Sequence, residues 1–273
     1  MRRTLAAVSL AGLAALAACG GNSSTPRADP TVTEAPPSES PSTTVPTGVE
    51  VTDLEDGAVG LATVGTAVWA ALPGPGQVLA VHGQRIDVGS LPLRLVGTPQ
   101  GVWVSVIGDG TLVRIDPGTG DVDLRTTVRP HGSEPEGLAY DGTTVWVVDQ
   151  TGDRVLPLDP ASGRLGTAIP VGAEPRLVTA GRSGVYVANY TEGSVTRVVD
   201  GAGTTRNAGS CLTPQGLAEA AGVVWVACTV DDRVVGLDAV TLRPVTRLPD
   251  LPAADAVVAD GDTVYVVGQE GPT

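Results

Sequence analysis

From Val49 onward the chain is written in short apolar runs separated by glycine, proline, aspartate and threonine. No stretch shows the 3.6-residue apolar period of an amphipathic helix. Short β-rich runs closed by turn formers predict strands instead. The runs repeat. Six aromatic residues sit in near-identical settings: Trp69 (AVWAA), Trp103 (GVWVS), Trp146 (TVWVV), Tyr186 (GVYVA), Trp225 (VVWVA) and Tyr265 (TVYVV). Their spacings are 34, 43, 40, 39 and 40 residues, and all four tryptophans of the protein occupy this one position. Pro92, Pro135, Pro175 and Pro214 each precede their aromatic by eleven residues, with Ala58 and Ala254 at the same offset in the outer repeats.

Each repeat reads as four strands. One follows the proline, as in Gly137-Leu138-Ala139-Tyr140, and a turn such as Asp141-Gly142 leads to the aromatic strand. A third runs into Asp-Pro (Val113 to Pro117, Val155 to Pro160), and Thr119-Gly120 or Ser162-Gly163 opens the fourth. Proline pre-sets φ and glycine accepts positive φ, so these are turns with a mechanism. Four strands in about 40 residues is the period of a propeller blade. The expected fold is an all-β propeller over residues 49–273, with the repeat aromatics, Trp146 among them, in its core. The sixth repeat shows only two strands, Ala256–Ala259 and Val264–Val267. Val49-Glu50-Val51 is a strand without a repeat, placed to pair into the last blade and hide its edge. Six blades closed by that N-terminal strand are expected, seven being the alternative.

Val185-Tyr186-Val187-Ala188-Asn189, followed by Gly193-Ser194-Val195, resembles the YVTN pattern of YVTN and NHL-type propeller repeats. Val102-Trp103-Val104 with Gly110 to Asp116 is similar to virginiamycin B lyase-like repeats. The resemblance spans residues 49–273 and implies the propeller fold. It does not select a function, since such propellers serve enzymes and binders alike.

The N-terminus changes the picture. Arg2 and Arg3 precede an apolar run from Leu5 to Ala18, too short to span a bilayer but suited to a secretory signal. Leu16-Ala17-Ala18-Cys19-Gly20 resembles the bacterial lipobox, which implies cleavage after Ala18 and acylation of Cys19, palmitate included. Ala15-Leu16-Ala17 also has the small-x-small form of an ordinary cleaved signal, but a cysteine where the apolar run stops favours the lipoprotein. Two acyl chains hold a protein firmly where one is marginal. Residues 1–18 are thus a lipoprotein signal. Residues 19–48 are the lipid-anchored cysteine and a Pro/Ser/Thr-rich linker that cannot bury enough surface to order itself. The protein is expected at the extracytoplasmic face of the cell membrane, held by its anchor. In that compartment Cys211, before Pro214, and Cys228, three past Trp225, fall at one end of one blade and are expected to form a disulfide.

The net charge of −13, near −15 once Arg2 and Arg3 are lost, argues against a nucleic-acid partner. Two repeat positions are expected at the channel mouth. The residue after the proline contributes Val59, Leu93, Glu136, Arg176, Gln215 and Asp255; three past the aromatic lie Leu72, Val106, Asp149, Asn189, Cys228 and Gly268. Glu136, Asp149, Arg176, Asn189, Gln215 and Asp255 form a polar arc opposite an apolar one, which suits a protein, peptide or amphipathic small-molecule ligand. Carboxylates with Asn could hold Ca²⁺, as in gluconolactonase-type propellers, but Arg176 in the same ring opposes it, so no cofactor or metal ligand is assigned. His82 and His131 are the only histidines. Virginiamycin B lyases use histidine in later blades, where this chain has none. No catalytic residue is assigned. A non-catalytic binding or protein-interaction module is expected, the alternative being a metal-dependent lactonase or hydrolase, or a lyase.

Overall fold

The computed structural model describes residues 57–81 and 83–269. The signal, Cys19, the linker, the Val49–Val51 strand and His82 lie outside the described residues. Among the described residues, twenty-two strands form six antiparallel sheets in chain order, five of four strands and a last one of two. Blade 1 comprises Gly60–Val64, Ala67–Leu72, Gln77–Ala80 and Arg85–Asp87, and blade 2 Pro92–Thr98, Gly101–Val106, Thr111–Ile115 and Val122–Thr127. Blade 3 holds Pro135–Tyr140, Val145–Asp149, Arg154–Leu158 and Ile169–Pro170; blade 4 holds Pro175–Ala180, Val185–Asn189, Ser194–Val199 and Ala202–Asn207. Blade 5 is Pro214–Ala220, Val223–Cys228, Arg233–Asp238 and Pro244–Leu248, and blade 6 is Ala254–Asp260 and Thr263–Gly268. Successive first strands lie against one another from blade 1 to blade 6, which is the arrangement of a propeller.

Strand alternation puts apolar side chains on both faces of a blade, so the core is distributed. Five separate buried clusters occur, and each joins one blade to the next. The residue after each fourth strand enters this packing: Val88, Val128, Val171, Ala208 and, three residues on, Leu251. Its N–H always donates to the carbonyl of a residue in the second turn of its own blade, namely Gly76, Gly110, Asp153, Gly193 or Asp232. Those five acceptors all have positive φ, the reason glycine or aspartate occupies the position.

The aromatics are less uniform than their repeat suggests. Trp69, Trp103 and Tyr186 are buried; Trp146 and Trp225 are half-buried, and Tyr265 is exposed. Trp146 differs from the expected core role because its Nε1 donates 2.7 Å to Asp141 in its own blade. Trp103 Nε1 instead donates to the Pro160 carbonyl, and the Tyr186 hydroxyl to the Ala239 carbonyl, each in the following blade.

A second alternation runs round the first strands. Two residues past the proline or alanine stand Gly60, Arg94, Gly137, Leu177, Gly216 and Ala256. A Cβ on any of the three glycines would collide with a backbone carbonyl of the next blade, that of Leu93, Arg176 or Asp255. Joints led by odd blades therefore bring backbones together. At the joint between blades 2 and 3 the Ser105 hydroxyl bridges instead, accepting from the Arg94 N–H at 3.1 Å and donating to the Glu136 carbonyl at 2.7 Å.

Cys211 and Cys228 form a disulfide with their Cα atoms 5.2 Å apart. It ties the loop leading into blade 5 to the end of the second strand, as expected. Closing a loop of this size contributes about 3 kcal/mol in the chain-entropy model.

Candidate functional site

The channel has two ends. The opening end is where first strands begin, and the hairpin end is where they turn into second strands. The expected ligand residues belong to the opening end. In blades 2 to 6 the register shifts just past the proline or alanine. Such a bulge re-aims side chains. Here it brings Glu136 into the electrostatic reach of Arg94, Arg176 and Asp255, from blades 2, 4 and 6, which requires a place near the axis. Arg94 Nη2 lies 3.9 Å from Glu136 Oε1, while its Nη1 donates to the Val59 carbonyl. Arg176 stacks over Tyr190, 4.0 Å from the ring centroid.

Glu136 and Gln215 are buried, and Arg176 and Asp255 half-buried. Arg94 Nε, Arg176 Nε, Gln215 Oε1 and Asp255 Oδ1 are out of contact with solvent and make no hydrogen bond. This end is packed rather than open. Asp149 and Asn189 do not join the group. Both are fully buried and serve their own blades. Asp149 accepts from Arg154 Nε at 2.8 Å and from the Glu134 N–H at 2.9 Å. Asn189 Nδ2 donates to Ser194 and Thr196. Three past the aromatic, a side chain points into the second turn, and blade 5 uses the same place for its disulfide. Arg94, Arg176 and Asp255 thus gather round Glu136, and Gln215 holds the same repeat position in blade 5. Sequence reasoning missed Arg94, although the break in the glycine pattern at that position was its signal.

Burial pushes the Glu136 carboxyl above its ordinary value; Arg94 and Arg176 pull it back, and Glu134 and Asp255 push it further up. The folded protein therefore releases this proton at higher pH than the unfolded chain does. Its stability falls as pH rises from the unfolded value through the folded one. Glu136→Gln, neutral throughout, is expected to melt above the parent at pH 7.5, with the gap closing by about pH 4. Melting curves across that range test it; a variant that melts lower at pH 7.5 would show the arginine pairing to outweigh burial.

A cavity lies at the hairpin end, where sequence reasoning placed no site. The first turns of blades 3 to 6 enclose a cavity of about 500 Å³. Its floor is alanine and glycine, and its polar wall is Tyr140, Asp141, Arg182, Glu219 and Asp262. Two carboxylates are fixed. Asp141 accepts from the Thr143 and Thr144 N–H groups, the Thr143 hydroxyl and Trp146 Nε1. Burial alone would raise its pKa, but these bonds outweigh it and hold the carboxyl below its usual value. Glu219 reaches from blade 5 to blade 4, accepting from the Ser183 N–H and hydroxyl at 3.0 and 2.8 Å. Arg182 and Asp262 stand exposed on the rim. His131 is exposed in the loop leading into blade 3. Among the described residues no three metal-ligating side chains come together. The guanidinium groups beside Glu136 do not fit a cation there.

No protein-family model matches the chain, and no curated protein matches it in sequence. Solved structures do. A streptogramin B lyase structure superposes with a TM-score of 0.64 at 15% identity, over 78% of this chain and 76% of that one. The computationally designed protein Ika8 gives 0.60 at 17% identity, over 77% and 67%. A putative 6-phosphogluconolactonase from Bacteroides uniformis gives 0.54 at 15% identity, over 70% and 71%. At these identities the likeness is one of fold, and the fold is a β-propeller.

Proposed function

We propose that the chain is a cell-surface lipoprotein whose propeller is a non-catalytic recognition module, holding its ligand over the channel. The hairpin-end cavity is the site we favour, and the pinned carboxylates in its wall carry that reading. A general acid or base needs a pKa near the working pH and a proton to move. Asp141, held low by four hydrogen bonds, and Glu219, engaged through both oxygens, are standing acceptors. They suit a ligand that brings donors and positive charge, with Tyr140 as an aromatic neighbour for a cation. A peptide segment with basic side chains has that chemistry. Gly57 leads into blade 1 at the opening end, so the cavity lies away from the linker's point of attachment. In this reading residues 1–18 direct export, Cys19 carries the lipid, and residues 20–48 are the spacer. Binding of Arg/Lys-containing peptides, measured by calorimetry, is expected to weaken at least about tenfold with Asp262→Lys, as loss of one charged hydrogen bond would produce, and to survive Glu136→Gln. Affinity unchanged by Asp262→Lys and Arg182→Glu would refute the site.

A second reading, as a lyase or a lactonase, draws on the names of two structural neighbours and on Glu136. A buried carboxyl with a raised pKa between two arginines has the make-up of a general base. Turnover of streptogramin B or 6-phosphogluconolactone, lost in Glu136→Gln, would establish it in place of the first.

A further inference from the structure

The first turns of blades 3 and 4 are capped by carboxylates of different origin. In blade 3 the cap belongs to the turn itself. Asp141, five residues before Trp146, accepts from the Thr143 N–H at 2.8 Å and the Thr143 hydroxyl at 2.9 Å. Blade 4 has Gly181 five residues before Tyr186, and Ser183 where blade 3 has Thr143. There the N–H and hydroxyl of Ser183 donate to Glu219 of blade 5 instead, at 3.0 and 2.8 Å. A Cβ at Gly181 would fall on Glu219 Oε2 and come within 2.8 Å of the Glu219 Cβ. Gly181 does not have positive φ, so space and not backbone conformation calls for glycine here. Its missing side chain admits the next blade's carboxylate into the turn.

We propose that the hairpin-end cavity selects arginine over lysine, with Glu219 accepting the guanidinium and Ser183 positioning Glu219; this rests on reading the cavity as a site for basic peptides. The two wall carboxylates differ in what they have left to offer. An ionised carboxylate has about four acceptor sites. Among the described residues, Asp141 takes four donors, three on Oδ1 and Trp146 Nε1 on Oδ2. Glu219 takes two, one on each oxygen, so each oxygen keeps a site. Two acceptors side by side match the parallel N–H pair of a guanidinium, whereas an ammonium is a compact point charge with no such fork. Ser183 is itself held, its carbonyl accepting from Arg197 Nε at 2.9 Å. Tyr140, in the same wall, is locked by its hydroxyl donating to the Gly142 carbonyl at 2.6 Å, and a guanidinium stacks on such a ring. The alanine and glycine floor leaves a planar group room to lie between them.

Two capped tripeptides, Gly-Arg-Gly and Gly-Lys-Gly, test this when titrated by calorimetry into the full mature chain made soluble by Cys19→Ser. The arginine peptide is expected to bind at least about tenfold more tightly, as one further charge-assisted hydrogen bond would produce. Glu219→Gln should abolish the preference. Ser183→Ala, which frees the carboxylate, and Gly181→Ala, which displaces it, should do the same in chains shown by thermal melts to be folded. Ser183→Thr retains the hydroxyl and should keep the preference. Equal affinity of the parent for the two peptides overturns the inference and leaves the site standing. Binding of neither peptide overturns both. A preference that survives Glu219→Gln and Gly181→Ala overturns the role of Glu219.

Discussion

Trp103→Ala is expected to cost roughly 3–5 kcal/mol, the range for losing a buried tryptophan. The side chain is fully buried between blades 2 and 3, in a cluster with Val128, Val145 and Leu158. Its Nε1 shares the Pro160 carbonyl with Arg114 Nη1, and that guanidinium sits 6.0 Å from the ring centroid, fixed by Asp123 at 2.7 Å. Removing the indole opens a cavity and takes one donor from a carbonyl that still has another. The loss should therefore follow packing more than hydrogen bonding. Trp146→Ala should cost less, because that ring is half-buried and bonded within its own blade. Tyr265→Ala should cost least. Denaturant melts of the three variants give the ranking; similar losses for all three would mean that the repeat position, rather than its joint, decides the energetics.

Gly137→Ala should cost about 3 kcal/mol, at the upper end of overpacking penalties. The added Cβ would strike the Arg176 carbonyl oxygen and approach the Leu177 Cα to 3.0 Å. Both partners are backbone atoms of the neighbouring first strand, at the bulge between Pro175 and Val178, so relief would require moving that bulge. Ala256→Gly, the reverse change at the same repeat position in an even blade, removes one methyl and should cost far less. Thermal melts compare the two. A well-tolerated Gly137→Ala would show that the blade joint can slide.

The blades, their order and the disulfide were legible in the sequence because each depends on neighbours within one repeat. The aromatic strand, the Asp-Pro turns and the Cys211–Cys228 pair all follow from local periodicity. What lies between repeats was not legible. Asp149 and Asn189 are polar residues near a strand end, as Glu136 is, and only the direction of the second turn separates buried structural partners from a channel ring. Arg94 became significant once the bulge was seen to turn it towards Glu136. The hairpin-end cavity is built from four distant turns, Asp141-Gly142 among them, whose residues read singly as turn formers.

The glycine alternation in the first strands has a consequence in parity. Gly60, Gly137 and Gly216 make three joints of one kind, and Arg94 and Leu177 lead two of the other. Ala256, in an even blade, carries a side chain as Arg94 and Leu177 do, so a closed ring of even number would preserve strict succession, whereas an odd ring would set two like joints side by side. Excising blade 3 alone would set the Arg94 and Leu177 joints side by side, two of one kind in succession. Excising blades 2 and 3 together would return Gly60 to face a Leu177 strand, the match already found between blades 3 and 4. The indivisible unit of this propeller, for shortening or lengthening it, is the pair of blades.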